Sequence, residues 1–219
     1  MHFLSTDLNF PPVEEASITG LLAVGGDLSP LRLLLAYKNG IFPWFESEEP
    51  ILWWSPSERM VVDPKTYKAP KSLRSLFNKN LFEIRYNTAF REVITACQKT
   101  PRDGQEGTWI TDQMLEAYCL LNKMGHATSV EVYQNENLVG GLYGVDLGHV
   151  YCGESMFSKA SNASKIAFVW LIEKLKNENY LLLDCQLHNE HLERLGAFEI
   201  SRETYLKILH KNEFLSNEF

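Results

Sequence analysis

The chain has 219 residues, of which 45% are hydrophobic, 22% charged and 12% aromatic. That balance excludes a disordered regulator, a collagen-like rod and a disulfide-stapled mini-protein, and it supplies apolar side chains for one large core or two smaller ones. Twenty-one Lys and Arg against 28 Asp and Glu leave a net charge of −7, which as a total argues against a nucleic-acid partner held by phosphate neutralisation.

Residues 1–12 have neither the basic segment nor the apolar run of a secretory leader, so a cytoplasmic protein is expected. Gly25-Gly26-Asp27 leads into Ser29-Pro30, an N-cap serine with proline at the first helical position. The helix over 30–39 then stops at Gly40. The aromatic stretches 41–45 and 51–56, set between prolines, read as a packed loop region. A short strand is expected at 60–62, a helix at 71–80, a strand at 81–86 and a helix at 88–98. Residues 99–107 form a polar loop with Pro and Gly, the best candidate for a mobile segment.

The second half is more regular. Thr111 caps a helix running to Met124 and closed by Gly125. Strands over 126–134, 138–146 and 149–156 follow, joined by hairpin turns at 135–137 and 147–148. Next come a helix over 161–177, a continuous apolar run at 180–185 that reads as a strand covered on both faces, and helices at 190–195 and 202–210. The order is that of an α+β acyltransferase-type domain, since a Rossmann fold would alternate strand and helix throughout.

Generic motifs are absent from the sequence: no Walker A loop, no Gly-x-Gly-x-x-Gly after a strand, no Gly-x-Ser-x-Gly elbow, no His-Glu-x-x-His. Cys97, Cys119, Cys152 and Cys185 are too far apart for a zinc site and are expected to be reduced, buried thiols. His188 and His191 lack a third ligand, so no metal is expected.

Two segments stand out. In 152–158 a strand end is expected to meet a loop, and Glu154 there is either a solvated loop acid or a carboxylate placed to hold an amine. In 184–189 polar residues follow the buried strand, where α/β-type domains build sites. Asp184 is either a structural acid or a partly desolvated base. Trp44, Trp53, Trp54 and Trp109 are either core anchors or stacking platforms for a nucleobase. Between Asp63 and Arg85, six cations against two acids give +4, so the rest of the chain carries −11. That segment is either a solvated helix or a phosphate track.

Four blocks taken together, 20–29, 40–45 with 51–56, 106–111, and 153–158 with 184–186, resemble the leucyl/phenylalanyl-tRNA–protein transferase family. The likeness runs from about Leu21 to Tyr205. It implies a C-terminal GNAT-like acyltransferase domain over 87–219. A smaller N-terminal α+β domain would precede it, made of an aromatic-rich region 1–62 and a basic segment 63–86. It implies transfer of Leu or Phe, with some tolerance of Met, from charged tRNA to the α-amine of proteins beginning with Arg or Lys, which marks them for degradation. By the same resemblance Asp184 and Gln186 are the catalytic pair, Asn189 supports them, and Glu154 faces the reacting groups. Trp44 and Trp109 sit near the terminal adenosine. Leu142, Tyr151, Gly153, Ser155 and Leu183 wall the aminoacyl site.

Residues 157–164 lack the glycines that cradle the coenzyme A pyrophosphate in ordinary acetyltransferases, so no cofactor is expected. Lys71, Arg74 and Lys79 are expected on the tRNA backbone, and the protein is expected to be a monomer with no membrane partner. Two other readings stand beside this one: a Fem-like transferase that delivers amino acids to peptidoglycan precursors, and a non-catalytic binding module.

Overall fold

The computed structural model describes residues 2–77, 79, 81–100 and 109–211. In chain order its elements are β1 (His2–Leu4), β2 (Leu21–Gly25), α1 (Pro30–Lys38), β3 (Phe42–Pro43), β4 (Leu52–Trp54), β5 (Glu58–Val62), α2 (Lys71–Phe77) and β6 (Glu83–Tyr86). Then follow α3 (Phe90–Lys99), α4 (Asp112–Lys123), β7 (Ala127–Gln134), β8 (Asn137–Asp146), β9 (Val150–Ser158) and α5 (Ala163–Asn177). The last are β10 (Leu182–Gln186), α6 (Glu190–Arg194), β11 (Phe198–Ser201) and α7 (Arg202–Leu209). The fold is mixed α/β with two sheets, one four-stranded in the order β1-β2-β4-β3 and one seven-stranded in the order β11-β5-β10-β9-β8-β7-β6.

Local chemistry explains most boundaries. The Ser29 hydroxyl accepts from the Arg32 N–H at 3.4 Å, Pro30 opens α1, and Gly40 follows its end at φ +70°. Thr111 accepts from the Met114 N–H at 3.2 Å and caps α4. The meander β7-β8-β9 is antiparallel, and β10 returns after α5 to pair parallel with β9. Helix α5 is buried along Ile166, Phe168, Leu171, Ile172 and Leu175, which seal one face of the sheet, while α3 and α4 belong to the core on the other.

The structure adds strands β1, β2 and β11, which the sequence did not announce, and departs from the sequence expectations in three further places. The aromatic region 41–56 holds β3 and β4, short strands that pair with each other and with β2, so it is sheet rather than loop. Strands β5 and β6, from the stretch assigned to the smaller N-terminal domain, are members of the seven-stranded sheet. Strand β9 does not end at Met156 but continues through Ser158. The expected mobile loop at 99–107 lies almost wholly outside the described residues. Cys97, Cys119 and Cys152 are buried, Cys185 is half-buried, and all four are free thiols.

The β8–β9 register leaves no room at Gly144: a Cβ there would lie 2.2 Å from the Cys152 carbonyl oxygen and 2.5 Å from the Tyr151 ring. Because a backbone oxygen cannot step aside, Gly144→Ala should destabilise the protein by about 1–3 kcal/mol. A thermal unfolding midpoint unchanged from wild type would show that the strands can shift without loss.

Candidate active site

The parallel pairing of β9 and β10 runs from Leu182↔Val150 to Asp184↔Cys152, yet both strands continue beyond it. Each carries a β-bulge just past that point. On β9, Gly153 and Ser155 face Gly144 and Tyr143, which leaves Glu154 as the extra residue. On β10, Asp184 and Gln186 face Val61 and Met60, which leaves Cys185 as the extra residue. A bulge re-aims the side chains beside it. Here the two bulges bring Gln186 and Glu154 together, and the Gln186 Nε2 donates to Glu154 Oε1 at 2.8 Å. Gln186 has φ +66°, a left-handed conformation that costs a non-glycine residue on the order of 1 kcal/mol and persists only where surroundings enforce it.

The enforcing group is Asp184, which is fully buried. Its Oδ1 accepts from the Gln186 backbone N–H at 2.8 Å and from Arg59 Nε at 3.0 Å. Its Oδ2 accepts from Arg59 Nη2 at 2.7 Å and from the Tyr205 hydroxyl at 2.9 Å. Arg59 is itself buried between the rings of Phe42 and Tyr205, 4.8 and 4.6 Å from their centroids, and donates from Nη1 to the Gly40 carbonyl at 2.9 Å. Asp184 thus acts on the backbone of Gln186, not on its side chain, and all of its contacts are made within the protein.

Glu154 is in a different setting. Its Oε2 accepts from the Tyr118 hydroxyl at 3.1 Å, and Tyr118 shares a short hydrogen bond with the Tyr37 hydroxyl. Burial, reinforced by the charge of Asp184, pushes the Glu154 carboxyl up to about 7, against the opposing hydrogen bonds from Tyr37, Tyr118 and Gln186. A carboxyl near 7 can exchange a proton at neutral pH.

These groups open onto a cavity of 630 Å³. Its polar lining includes Glu154, Ser155, Gly153 and Gln186, and its apolar lining includes Leu142, Met156, Phe168, Leu171 and Leu183. Trp44 and Trp109 border it too. Trp44 is 36% exposed, edge-on to Trp54, whose Nε1 donates to the Trp44 carbonyl at 2.7 Å. Asn189 lines the cavity, but its Oδ1 is occupied in capping α6, accepting from the His191 and Leu192 N–H groups at 2.9 and 3.2 Å.

Most of the sequence-predicted residues therefore gather at one place. Tyr151 does not: it is buried away from the cavity, with its hydroxyl donating to the Thr128 carbonyl at 3.0 Å, and Tyr143 lines the cavity instead. Lys71, Arg74 and Lys79 are exposed on and just after α2 and do not line the cavity. Sequence reasoning missed Arg59, Tyr37, Tyr118 and Tyr205. The available signal was an Arg inside an apolar strand and Tyr on apolar helix faces, since a buried polar tip needs a partner. Among the described residues, no group of three His, Cys, Asp or Glu side chains is placed to hold a metal ion, and no helix is long and apolar enough to cross a membrane.

The family model described as leucyl/phenylalanyl-tRNA protein transferase matches residues 61–210, and the model of that enzyme's N-terminal domain matches residues 26–57. Curated relatives named leucyl/phenylalanyl-tRNA–protein transferase agree. One from Flavobacterium johnsoniae is 60% identical over 95% of this chain and 99% of its own. One from Flavobacterium psychrophilum is 58% identical over 96% and 100%, and one from Thermodesulfovibrio yellowstonii is 47% identical over 100% and 90%.

Removing the cation from the Arg59–Asp184 pair strands a buried carboxylate. Arg59→Met should cost about 3–5 kcal/mol, and adding Asp184→Leu should restore part of that loss. Urea unfolding of the single and double variants decides it. Equal losses in both would mean that Arg59 stabilises the fold by packing alone.

Proposed function

The chain belongs to the leucyl/phenylalanyl-tRNA–protein transferase family and is an aminoacyltransferase, and from that premise we propose how its site works and on what. The enzyme takes an aminoacyl group from charged tRNA and joins it to a protein. In our reading the donors are leucyl- and phenylalanyl-tRNA, with methionyl-tRNA tolerated. The acceptors are proteins with N-terminal Arg or Lys, and the new apolar N-terminus marks them for degradation. The seven-stranded part serves as a GNAT-like catalytic domain, and the four-stranded sheet is the main part of the smaller N-terminal domain.

The observation that carries this reading is the meeting of Gln186 and Glu154 in an apolar cavity bordered by Trp44 and Trp109. Leu142, Leu183, Phe168 and Leu171 receive the donor's side chain, and a pocket of that kind separates substrates by only about 1–3 kcal/mol per methylene. The tryptophans border the terminal adenosine, where stacking is worth on the order of 1–3 kcal/mol. Lys71, Arg74 and Lys79 meet the tRNA backbone.

The acceptor amine attacks the ester carbonyl carbon, the bond to the ribose oxygen breaks, and that oxygen leaves with a proton. Because Gln186 Nε2 is occupied by Glu154, its amide oxygen is the group that faces the amine and accepts one of its N–H bonds. Glu154, poised near 7, takes the proton that an ammonium must lose before attack. Asp184 and Asn189 are positioning residues in this scheme. Asp184 fixes the backbone of Gln186, and Asn189 fixes the start of α6. The ester is already activated, so alignment of amine and carbonyl supplies the larger share of the rate.

Two measurements test this. With leucyl-tRNA as donor, peptides beginning with Arg or Lys should be extended and one beginning with Ala should not. Transfer to none of them overturns the reading. In single-turnover pH profiles, the rate should rise through about pH 7 as Glu154 loses its proton, and Glu154→Gln should abolish that limb and slow transfer by roughly 10²-fold or more. Tyr118→Phe removes a donor that favours the carboxylate, so its inflection should move to higher pH. A profile that neither variant alters excludes Glu154 from proton transfer.

A further inference from the structure

The active-site cavity has a neighbour of opposite character. His191 borders both the cavity and a groove of 230 Å³ whose other walls come from α2, the start of α5 and α6. Leu73 and Leu76 of α2 form its apolar side, and Lys165 and Arg194 stand along it. Lys165 is half-buried and takes part in no salt bridge among the described residues. Arg194 has one partner, Glu190, at 3.4 Å. With the two side chains 70% and 77% exposed, that pairing holds the guanidinium only weakly. Both cations bear on His191: burial first, and then the charges of Lys165 and Arg194, hold its imidazole below the ordinary value. The helix that supplies the apolar wall also carries Lys71 and Arg74 on its exposed face.

A groove of this sign repels a cationic acceptor terminus and attracts a phosphodiester. It also shares His191 with the lining of the cavity proposed above to take the aminoacyl ester. We propose that this groove is a phosphate-binding subsite, in which Lys165 and Arg194 hold the sugar-phosphate next to the donor's terminal nucleoside and so connect the α2 cations to the reaction centre. The inference rests on the donor being a charged tRNA, as proposed above. It assigns Lys165 and Arg194 to binding, without a part in the chemistry.

The test compares two phenylalanyl donors in the full-length protein, intact charged tRNA and 3′-O-phenylalanyl adenosine, which carries no phosphate. In the double variant Lys165→Gln/Arg194→Gln, KM for the tRNA should rise about tenfold or more. The slope of log Kd against log salt should fall by roughly one to two, the signature of lost phosphate contacts. KM for the adenosine donor should stay within about twofold of wild type, and this also reports that the variant is folded. An equal rise with both donors, or no rise with either, overturns the subsite. Wild-type protein that transfers from neither donor would instead overturn the tRNA reading on which the subsite depends.

Discussion

Burying a guanidinium and a carboxylate together costs several kcal/mol per ion, and only near-complete hydrogen bonding repays it. Arg59 and Asp184 meet that condition with help from every side: Gly40 from the end of α1, Tyr205 from α7, Phe42 from β3 and the backbone of Gln186. The pair therefore joins both sheets and the last helix at one point. Because one of the four hydrogen bonds to Asp184 comes from the Gln186 N–H, the ion pair also fixes the backbone conformation on which the candidate site turns. A residue at φ +66° would relax if that acceptor were lost.

The cavity follows from the same constraint. If β9 and β10 had continued their parallel ladder past Asp184↔Cys152, their backbones would fill the space that the cavity occupies. The two bulges end that ladder, turn Glu154 and Gln186 towards each other, and leave a gap floored by polar groups and walled by Leu and Phe. Neighbouring bulges weaken a sheet, and α5 compensates with an almost wholly buried apolar face across β7, β8 and β9.

Elements with strong local signals were legible in the sequence. The Ser29-Pro30 start and Gly40 stop of α1, the Thr111 cap, the three-strand meander and the apolar run of β10 all announce themselves within a few residues. The short strands β3 and β4 were not legible, because segments of two and three residues carry no measurable alternation and are defined only by the strands they pair with. Nor was the extension of β9 past Met156. Its last two residues are held by pairing with Gly141 and Gly140 of β8, a partner that a local reading of Phe157 and Ser158 does not reveal. At the site, Asp184, Gln186 and Glu154 stood out through their resemblance to a known family. Arg59, 125 residues from Asp184 in sequence, did not, since an arginine beside apolar residues looks like an exposed strand position until its partner is known.

The two carboxylates of the candidate site show how environment divides labour. Asp184 has a full cation against it and no face towards the cavity, so its charge serves the structure. Glu154 has only neutral donors, two tyrosine hydroxyls and an amide, so its burial is incompletely offset and its carboxyl titrates close to neutrality. The same division holds across the surface. A net charge of −7 looks hostile to nucleic acid, yet the total hides a +4 segment whose helix, α2, forms one wall of a groove bearing Lys165 and Arg194. Attraction at the Debye scale of about 8–10 Å depends on which charges are neighbours rather than on their sum. An acidic body can therefore carry a local cationic track without any change in its total charge.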